Sequence, residues 1–467
     1  MNNAHSLSPE PVDVIVVGAG ISGLSAASDL EQAGLSVRVL EARSRVGGRT
    51  EDGQFASGTS IELGGQWLGP TQTAALELID KLGLETFEVY DEGRSLLFAE
   101  GKYVHGDDNT FGLGEQAGAA FSELVRLVDS TVTTIDLSSP WSSPEAERLD
   151  SMTATQWVEE NCPDPTARNF AHTLLASIFA AETHEYSALH MLFYLASGGG
   201  LHRMMITIGG AQERRVLGGT HQMSERLAER LNGEVWLQSP VKRISQGEGT
   251  ARHPVVVTTP GTSHHCKRVI VALPSTLANR LDYEPPLPAN RDIAAGQMMP
   301  GNVIKYQIEY ERPFWRGRGL SGTILSLDHH VSLVYDNCVP TSDRGILVAF
   351  VEGRHARQLS ELSEQQRAEA VLSDLSAFLG AEAAEPLEIL QRNWSEEPYT
   401  RGCYGGRFGT GLWTTVGQHL ADPCGRIHWA GAETAQIWNG YIDGAIRSGR
   451  RAASEIVSAE SISHREG

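Results

Sequence analysis

Three glycines near the start of the chain follow an apolar run with the spacing G-x-G-x-x-G. They are Gly18, Gly20 and Gly23, and the run before them is 14–17. The first glycine permits a tight turn, the second lets backbone amides approach a pyrophosphate, and the third allows a helix to pack against the strand. Glu41 lies about twenty residues further on, where a carboxylate can bind ribose hydroxyls. The spacing predicts a dinucleotide site and does not choose between NAD and FAD.

A strand, a helix and a second strand must hold these residues in place. The β-branched run 14–17 is typical of a strand buried on both faces. A helix is predicted over 22–32, with Gly34 as its C-cap and its positive end toward the phosphates. The second strand, 36–40, ends at Glu41. These elements occur in the order of a nucleotide-binding βαβ unit.

Length, charge and cysteine content limit the classes of protein that fit. A chain of 467 residues exceeds a single core, so two or three domains are expected. The formal net charge of −20 argues against nucleic acid or an anionic membrane as partner. The 5 cysteines form no C-x-x-C pair, which argues against a disulfide framework or a zinc site. Without an apolar signal segment or a membrane-length apolar run, we expect a soluble, cytoplasmic protein.

Two pairs of adjacent histidines are candidate metal ligands. His264-His265 and His329-His330 lack the i, i+4 spacing of a helical metal site, and Asp328 is the only acid adjoining either pair. The pattern predicts surface turns at both pairs and no metal site.

One strand with regular alternation carries a lysine. The run 301–310 alternates clearly and places Lys305 on the face opposite Ile304 and Tyr306. On this pattern alone, an exposed lysine is the simpler interpretation. Further strands are predicted over 332–335 and 345–352, and helical spacing continues over 154–175.

Several motifs, in order along nearly the whole chain, resemble those of flavin-dependent monoamine oxidases. They are the extension Arg43–Thr50 after the second strand, Ala181–Leu189, Gln212–Gly219, Val303–Lys305 with Pro313–Trp315, Trp394–Tyr404 and Glu433–Tyr441. The resemblance implies an α/β protein with two domains. One is a Rossmann-like FAD-binding domain of the glutathione-reductase-2 type, and the other is a substrate domain of mixed sheet flanked by helices.

The resemblance also implies that both domains are assembled from separate segments. The FAD-binding domain is expected from 1–86, 212–290 and 394–467. The substrate domain is expected from 87–211, which is helical, and 291–393.

Matching positions predict the residues around the cofactor, which is expected to be FAD. They are Gly18, Gly20, Gly23, Glu41, Arg43, Arg49, Gly64, Gly65, Gln66, Trp67, Val241, Trp394, Cys403, Glu433 and Ile442. Cys403 matches the position where monoamine oxidases attach the flavin 8α-methyl group by a thioether. The chain departs from the family at 405–409, where glycines replace bulkier residues, and many bacterial relatives hold FAD without a covalent bond. We expect the thioether, with a buried free thiol as the alternative.

Three residues match catalytic positions of the family. Tyr404 and Tyr441 match the aromatic cage before the flavin, where two rings guide an amine to N5 and favour a nitrogen with positive character. Lys305 matches the lysine that holds a water against N5 and aids oxygen reduction. The implied reaction is oxidation of a primary aromatic or alkyl amine by FAD and molecular oxygen, giving an aldehyde, ammonia and hydrogen peroxide.

Apolar residues are expected to line the substrate cavity. They are Leu174, Ile178, Met205, Ile206 and Leu333, together with Gln212. Oxidases of secondary amines, polyamines or nicotine remain alternatives. An L-amino-acid oxidase would need an arginine for the carboxylate where Gln66 and Trp67 stand. A non-catalytic FAD-binding protein is the last alternative, and a homodimer is a further expectation.

Overall fold

The computed structural model describes residues 9–106 and 112–466. None of the helices in this part of the chain is both long and apolar enough to cross a bilayer. In chain order the helices are α1 Ile21–Gln32, α2 Thr73–Leu82, α3 Glu115–Thr131, α4 Ala146–Ser151, α5 Ala154–Asn161, α6 Pro165–Phe179, α7 Ala188–Ser197, α8 Leu201–Met205, α9 His221–Glu229, α10 Ser275–Ala278, α11 Ala289–Gln297, α12 Gly353–Ser360, α13 Glu364–Leu379, α14 Leu412–Val416 and α15 Ile442–Glu466.

The strands are named in the same way. They are β1 Val12–Val17, β2 Val37–Leu40, β3 Asp52–Gln54, β4 Ser60–Glu62, β5 Trp67–Leu68, β6 Thr86–Glu88, β7 Arg94–Ala99, β8 Lys102–Gly106, β9 Arg214–Val216, β10 Glu234–Trp236, β11 Arg243–Gln246, β12 Val255–Thr259, β13 Thr262–Val271, β14 Asp282–Glu284, β15 Met299–Pro300, β16 Val303–Tyr310, β17 Leu320–Ser326, β18 Val331–Asp336, β19 Gly345–Glu352, β20 Glu388–Asn393, β21 Gly406–Arg407 and β22 Ile427–Trp429.

The chain divides into two compact units. The first contains Met1–Gly48, His221–Met298 and Val416–Gly467, and the second contains Arg49–Thr220 and Met299–Thr415. These limits follow packing and place 49–86 and 394–415 in the second unit. The domain limits expected from the resemblance follow cofactor contacts instead, and they stay a prediction.

An eight-stranded sheet forms the centre of the first unit. Its order is β10-β2-β1-β13-β12-β11-β14, and β22 also pairs with β13. β1 lies between β2 and β13 and is parallel to both. Its residues 14–17 are buried, which confirms the strand predicted from the apolar run. Gly449 of α15 lets that helix approach α1 closely, because a Cβ there would lie 2.1 Å from the Ser22 carbonyl oxygen.

Two predictions in this unit are wrong. His264 and His265 lie within β13, paired with Val257 and Val256, where a surface turn was predicted. His264 is fully buried against the Trp236 ring at 5.1 Å, and burial lowers its pKa to about 4. A neutral imidazole can therefore occupy an apolar strand position. The run 240–244 also has the pattern of a strand and predicts one that contains Val241, but the strand begins only at Arg243.

A seven-stranded mixed sheet forms the centre of the second unit. Its order is β20-β16-β19-β18-β17-β7-β8, with β17 and β7 parallel and the other pairs antiparallel. One face, including Ile304 and Tyr306, packs in a buried cluster with α12 and α13. The opposite face contributes Val303, Val348 and Phe350 to a second buried cluster. The mixed sheet with flanking helices confirms the predicted fold class.

The helical spacing over 154–175 belongs to two helices, not to one. α5 starts with a capping box between Thr153 and Gln156 and ends at Asn161. Asp164 then caps α6, accepting hydrogen bonds from the amides of Thr166 and Ala167 at 3.0 and 2.9 Å. Pro163 precedes this cap, and the residue before a proline disfavours helical geometry. The continuous apolar spacing concealed this local break.

Candidate functional site

The turn after β1 contains three glycines, and the middle one has open space beside it. Gly18 has φ +102°, and a Cβ there would lie 2.7 Å from the Ala272 carbonyl oxygen. A Cβ at Gly23 would lie 2.1 Å from the Gly18 carbonyl oxygen. Gly20 differs, because its φ is −70° and, chain neighbours apart, no atom of residues 9–106 and 112–466 lies within 4 Å of the Cβ position. Folding requires glycine at the outer two positions, whereas Gly20 leaves room for a ligand at the start of α1, as a pyrophosphate requires.

Glu41 holds the glycine turn in place. Its Oε2 accepts a hydrogen bond from the Ala19 amide, and its Oε1 accepts one from the Arg43 amide, both at 2.8 Å. The carboxylate is buried, with 4% exposure. These two bonds were not foreseen from the sequence. The ribose contact of Glu41 and the cofactor contact of half-buried Arg43 stay predictions.

The last segment of the first unit returns to the same edge of the sheet. β22 is parallel to β13, which is also parallel to β1, so the carboxyl ends of β22 and β1 lie at the same edge of the sheet. The Gly431 amide donates to the Ser22 hydroxyl at 2.9 Å, which places this loop against the start of α1. Glu433 follows and is buried. Ligands bind at the carboxyl ends of parallel strands in folds of this kind.

For three further residues of the first unit, the structure shows the position but not the predicted contact with a cofactor or substrate. Tyr441 precedes α15, and its ring lies 4.8 Å from that of Trp438 at 69°. Ile442 is the first residue of α15 and is half-buried. Val241 is buried in the core of the sheet with Ile244. Their contacts with a cofactor or substrate stay predictions.

Lys305 lies inside the second unit and not on its surface. It is only 3% exposed, so the exposed position inferred from alternation alone is wrong. Its Nζ donates to the Gly64 carbonyl oxygen at 2.7 Å and to Oε1 of Gln66. Burial lowers the pKa of Lys305 to about 7. The charge of Glu62 opposes this lowering without outweighing burial, and the rings of Trp67 and Phe350 lie 6.0 and 5.8 Å from the nitrogen.

A buried chain of amides fixes the orientation of this lysine. Gln66 donates through Nε2 to Oδ1 of Asn337 at 2.7 Å. Asn337 donates through Nδ2 to Oε1 of Gln307 at 2.8 Å, and its carbonyl oxygen accepts from Arg215 at 2.8 Å. The Gln66 amide therefore presents its oxygen to Lys305. The predicted cofactor contact of Gln66 stays a prediction.

The paired glycines 64–65 serve a close backbone approach within the protein. A Cβ at Gly64 would lie 2.2 Å from the Arg49 carbonyl oxygen and 2.7 Å from the Glu51 amide nitrogen. The Gly65 amide donates to the same Arg49 oxygen at 3.0 Å. The Arg49 guanidinium in turn donates to the Tyr404 carbonyl oxygen. Packing alone thus explains Gly64, while Gly65 is exposed and its flavin contact stays a prediction.

Four rings line the face of the second sheet that carries Lys305, and we call Trp67, Tyr335, Phe350 and Tyr404 the aromatic wall. Trp67 lies 5.1 Å from Tyr335 and 5.6 Å from Phe350. Phe350 lies 6.5 Å from Tyr404. Lys305 is the direct cross-strand partner of Phe350. Sequence reasoning missed Tyr335 and Phe350, although alternation along the predicted strands 332–335 and 345–352 could have assigned both to one face.

Sequence reasoning also missed Glu352, the last residue of β19. Its Oε1 accepts a hydrogen bond from the Tyr404 hydroxyl at 2.9 Å, and its Oε2 accepts one from the Ser332 hydroxyl. The side chain is 4% exposed, and burial raises its pKa to about 7. A single acid at the end of an otherwise apolar strand was the available signal.

Trp394 is another residue predicted to lie near the cofactor. Trp394 is buried and donates through Nε1 to the Leu63 carbonyl oxygen at 3.1 Å. It shares an apolar cluster with Cys403, Tyr404 and Leu333.

Five cavity residues lie on helices or in the loop before β9. Leu174 and Ile178 are one turn apart on α6. Met205 ends α8 and Ile206 follows it. Gln212 donates to the Met204 carbonyl oxygen at 3.4 Å. Their place in a substrate cavity stays a prediction.

Comparisons with known proteins cover almost the whole chain. A family model described as flavin containing amine oxidoreductase matches residues 21–457. The chain is 36% identical over 446 residues to a probable flavin-containing monoamine oxidase A from Dictyostelium discoideum, covering 95% of this chain and 97% of that protein. It is 36% identical to amine oxidase [flavin-containing] B from Homo sapiens, covering 96% and 86%.

Two solved structures have similar folds. Wild-type putrescine oxidase bound to putrescine superposes with a TM-score of 0.92 at 36% identity, over 96% of this chain and 99% of that one. Cyclohexylamine oxidase from Brevibacterium oxydans IH-35A gives a TM-score of 0.92 at 30% identity, over 97% and 100%.

Proposed function

The chain belongs to the family of flavin-containing amine oxidases and is an FAD-dependent enzyme, and we propose that it oxidises primary monoamines. The proposed products are an aldehyde, ammonia and, with oxygen as acceptor, hydrogen peroxide. The open approach to the Gly20 backbone and the nearby start of α1 fit the diphosphate of FAD. When bound, FAD supplies the two-electron chemistry that side chains lack.

The aromatic wall beside Lys305 is the observation that supports an apolar amine most directly. Its rings present hydrocarbon surface on the same sheet face as the buried lysine. Such surfaces favour aromatic or alkyl groups, and ring faces also favour a nitrogen with positive character. The pairing of Tyr404 with Tyr441 implied by the family stays a prediction, as do the homodimer and the cytoplasmic location.

Two alternative substrates receive less support. An amino acid would need a cation for its carboxylate. The position expected for that arginine holds Gln66 and Trp67, and Gln66 already binds Lys305. A diamine is the second candidate, because Glu352 supplies a carboxylate at the wall. Glu352 is only 4% exposed, however, and each of its oxygens already accepts one hydroxyl hydrogen bond, so a second ammonium group would have to share these oxygens with Tyr404 and Ser332.

An amine panel with peroxide detection tests this proposal. We expect benzylamine and linear alkylamines to give catalase-sensitive peroxide with the matching aldehyde. Their kcat/KM should exceed that of putrescine by at least about tenfold, because the wall offers little to a second ammonium group. N-methylbenzylamine and phenylalanine complete the panel. A higher kcat/KM for putrescine or for N-methylbenzylamine would contradict the assignment of primary monoamines as substrates.

We also propose that FAD is attached through Cys403. The thiol is 8% exposed and precedes the cage residue Tyr404, as the family position requires. Acid precipitation of the wild-type protein is expected to leave the yellow colour in the pellet. Cys403→Ala should release it, whereas Cys338→Ala, a matched cysteine of the same unit, should not. Colour in the wild-type supernatant would show that FAD is not covalently bound.

A further inference from the structure

A carboxyl group is buried on the face of the second sheet that carries the aromatic wall. Glu352 lies two residues after Phe350 in β19 and is the cross-strand partner of Val303. It is therefore on the same face as Lys305, since alternate residues of a strand share a face. No cation is among the groups that act on this carboxyl in the described part of the chain. A buried acid without a cationic partner is costly for folding and is often found at functional sites.

Two hydroxyl groups fix the orientation of this carboxyl. The Tyr404 hydroxyl donates to Oε1 at 2.9 Å, and the Ser332 hydroxyl donates to Oε2. The Ser177 hydroxyl of α6 also lies against the carboxyl, without a well-oriented hydrogen bond. Burial, and then Glu352, raise the pKa of the Tyr404 phenol well above its ordinary value. The phenol therefore remains a hydrogen-bond donor.

A β-bulge in β18 brings Ser332 to this position. The register between β18 and β19 shifts between Val331 and Leu333, so Ser332 is an additional residue in the strand. In a bulge, two residues oppose a single partner. Leu333 stays with the aromatic wall while Ser332 reaches Glu352. The backbone irregularity thus serves the contact between Ser332 and the carboxyl.

We propose that Glu352 is a positioning residue for amine oxidation, which holds the ring of Tyr404 in place and, when ionised, increases the electron density of that ring. The proposal rests on the proposed function for the amine substrate. A hydroxyl that donates to a carboxylate forms a charge-assisted hydrogen bond, which is stronger than a neutral one. A ring with higher electron density attracts a nitrogen of positive character more strongly. Glu352 acts through Tyr404 and does not itself touch the reacting atoms.

Ionisation of Glu352 connects this contact to pH. Burial raises its pKa to about 7, so the carboxylate form is present above that pH and is lost below it. The titratable groups on the surrounding elements include Lys305 of β16, Tyr335 of β18, His172 of α6, Arg354 and His355 of α12, and Glu182 before α7. Because the pKa of Lys305 is also about 7, a pH profile of the wild type alone does not identify Glu352.

A double-mutant cycle in the FAD-loaded enzyme tests the proposal. We expect Glu352→Gln to lower kcat at about pH 8 by about tenfold, with a KM change below about threefold. In a Tyr404→Phe background, the same replacement should change kcat less than about twofold, because the contact is already absent. Ser177→Ala is the matched control and should also stay within about twofold. Equal effects of Glu352→Gln in both backgrounds would overturn the proposal.

Two further measurements separate positioning from folding and from the substrate assignment. Ser332→Ala removes one hydrogen bond to the charged carboxyl, so the inflection of the kcat profile should move to higher pH, and an unmoved inflection would contradict the proposal. In enzyme labelled with ¹³Cζ-tyrosine, the resonance of Tyr404 is the one that disappears in Tyr404→Phe. Its chemical shift should change with pH near the pKa of Glu352, and this change should be absent in Glu352→Gln. If no amine is oxidised, the proposed function fails, while this resonance still reports the contact between Tyr404 and Glu352. A resonance that does not titrate would overturn that contact as well.

Discussion

Replacing Lys305 by methionine is expected to slow the reaction of the reduced holoenzyme with oxygen by about 100-fold. Methionine keeps much of the side-chain length but removes the charge that would stabilise negative charge developing on oxygen. Lys305 is suited to this role because its nitrogen is buried and held by the Gly64 carbonyl and Gln66. Stopped-flow mixing of anaerobically reduced enzyme with oxygen measures the rate. Reduction by amine should change less than about threefold.

The same reaction should depend on pH in a defined direction. Burial lowers the pKa of Lys305 to about 7, so its cationic form is present below that pH and is lost above it. The wild-type rate with oxygen should therefore fall as the pH rises through about 7, and the Lys305→Met rate should be flat. Lys102→Met, which changes an exposed lysine of β8, should behave like the wild type. Equal oxygen rates in wild type and Lys305→Met would exclude this role.

Gly20→Ala is expected to lose FAD affinity, whereas Gly23→Ala is expected to lose folding stability. Beyond its chain neighbours, a methyl group at Gly20 meets no atom within 4 Å in the described part of the chain, so the free energy of unfolding should change by less than about 0.5 kcal/mol. The methyl group would occupy the space that fits the FAD diphosphate, and FAD affinity should fall at least about 100-fold. At Gly23 the added Cβ meets the Gly18 carbonyl oxygen at 2.1 Å, and the free energy of unfolding should fall by roughly 3 kcal/mol.

Flavin content, measured in the Cys403→Ala background so that affinity alone retains FAD, and chemical denaturation of the purified variants separate these outcomes. Gly34→Ala is the matched control at the other end of α1, with φ +85° and no atom within 4 Å of the added carbon. It should cost about 1 kcal/mol of stability without lowering flavin content. Full flavin content in Gly20→Ala would show that the space near this residue is not part of the FAD site.

Local sequence patterns predicted the βαβ unit well, because its parts are close together in the chain. β1, α1 and β2 follow one another within Val12–Leu40, and the glycine spacing reports backbone geometry directly. The burial of Lys305 could not be obtained in this way. Its partner Gly64 is 241 residues away, so alternation assigned the face of the strand but not what covers it. The resemblance to a family, and not periodicity, pointed to a role for this lysine.

The wrong prediction at His264 and the missed residue Glu352 have a common cause, because residue type alone does not show which side chains pack around a residue. His264 seemed typical of a turn, but Trp236 covers it as part of the first sheet. An acid at the end of a strand is commonly exposed, so the sequence pattern alone does not distinguish Glu352 from a surface residue. Its hydroxyl partners, Tyr404 and Ser332, come from other elements. Contacts between distant segments decide both cases.

The additional residue in β18 has a consequence for how relatives of this chain can be compared. Val331 and Val334 face the cluster beneath the helices, whereas Leu333 and Tyr335 lie on the opposite face, which carries the aromatic wall. Removing Ser332 would restore strict alternation and would leave Val331 and Val334 on one face and Leu333 and Tyr335 on the other. A relative can therefore gain or lose this residue, and with it the hydroxyl bonded to Glu352, without exchanging the side chains of the two faces. Such relatives are best aligned here by strand pairing, with the gap at Ser332, because a shift by one residue would match side chains that face opposite sides.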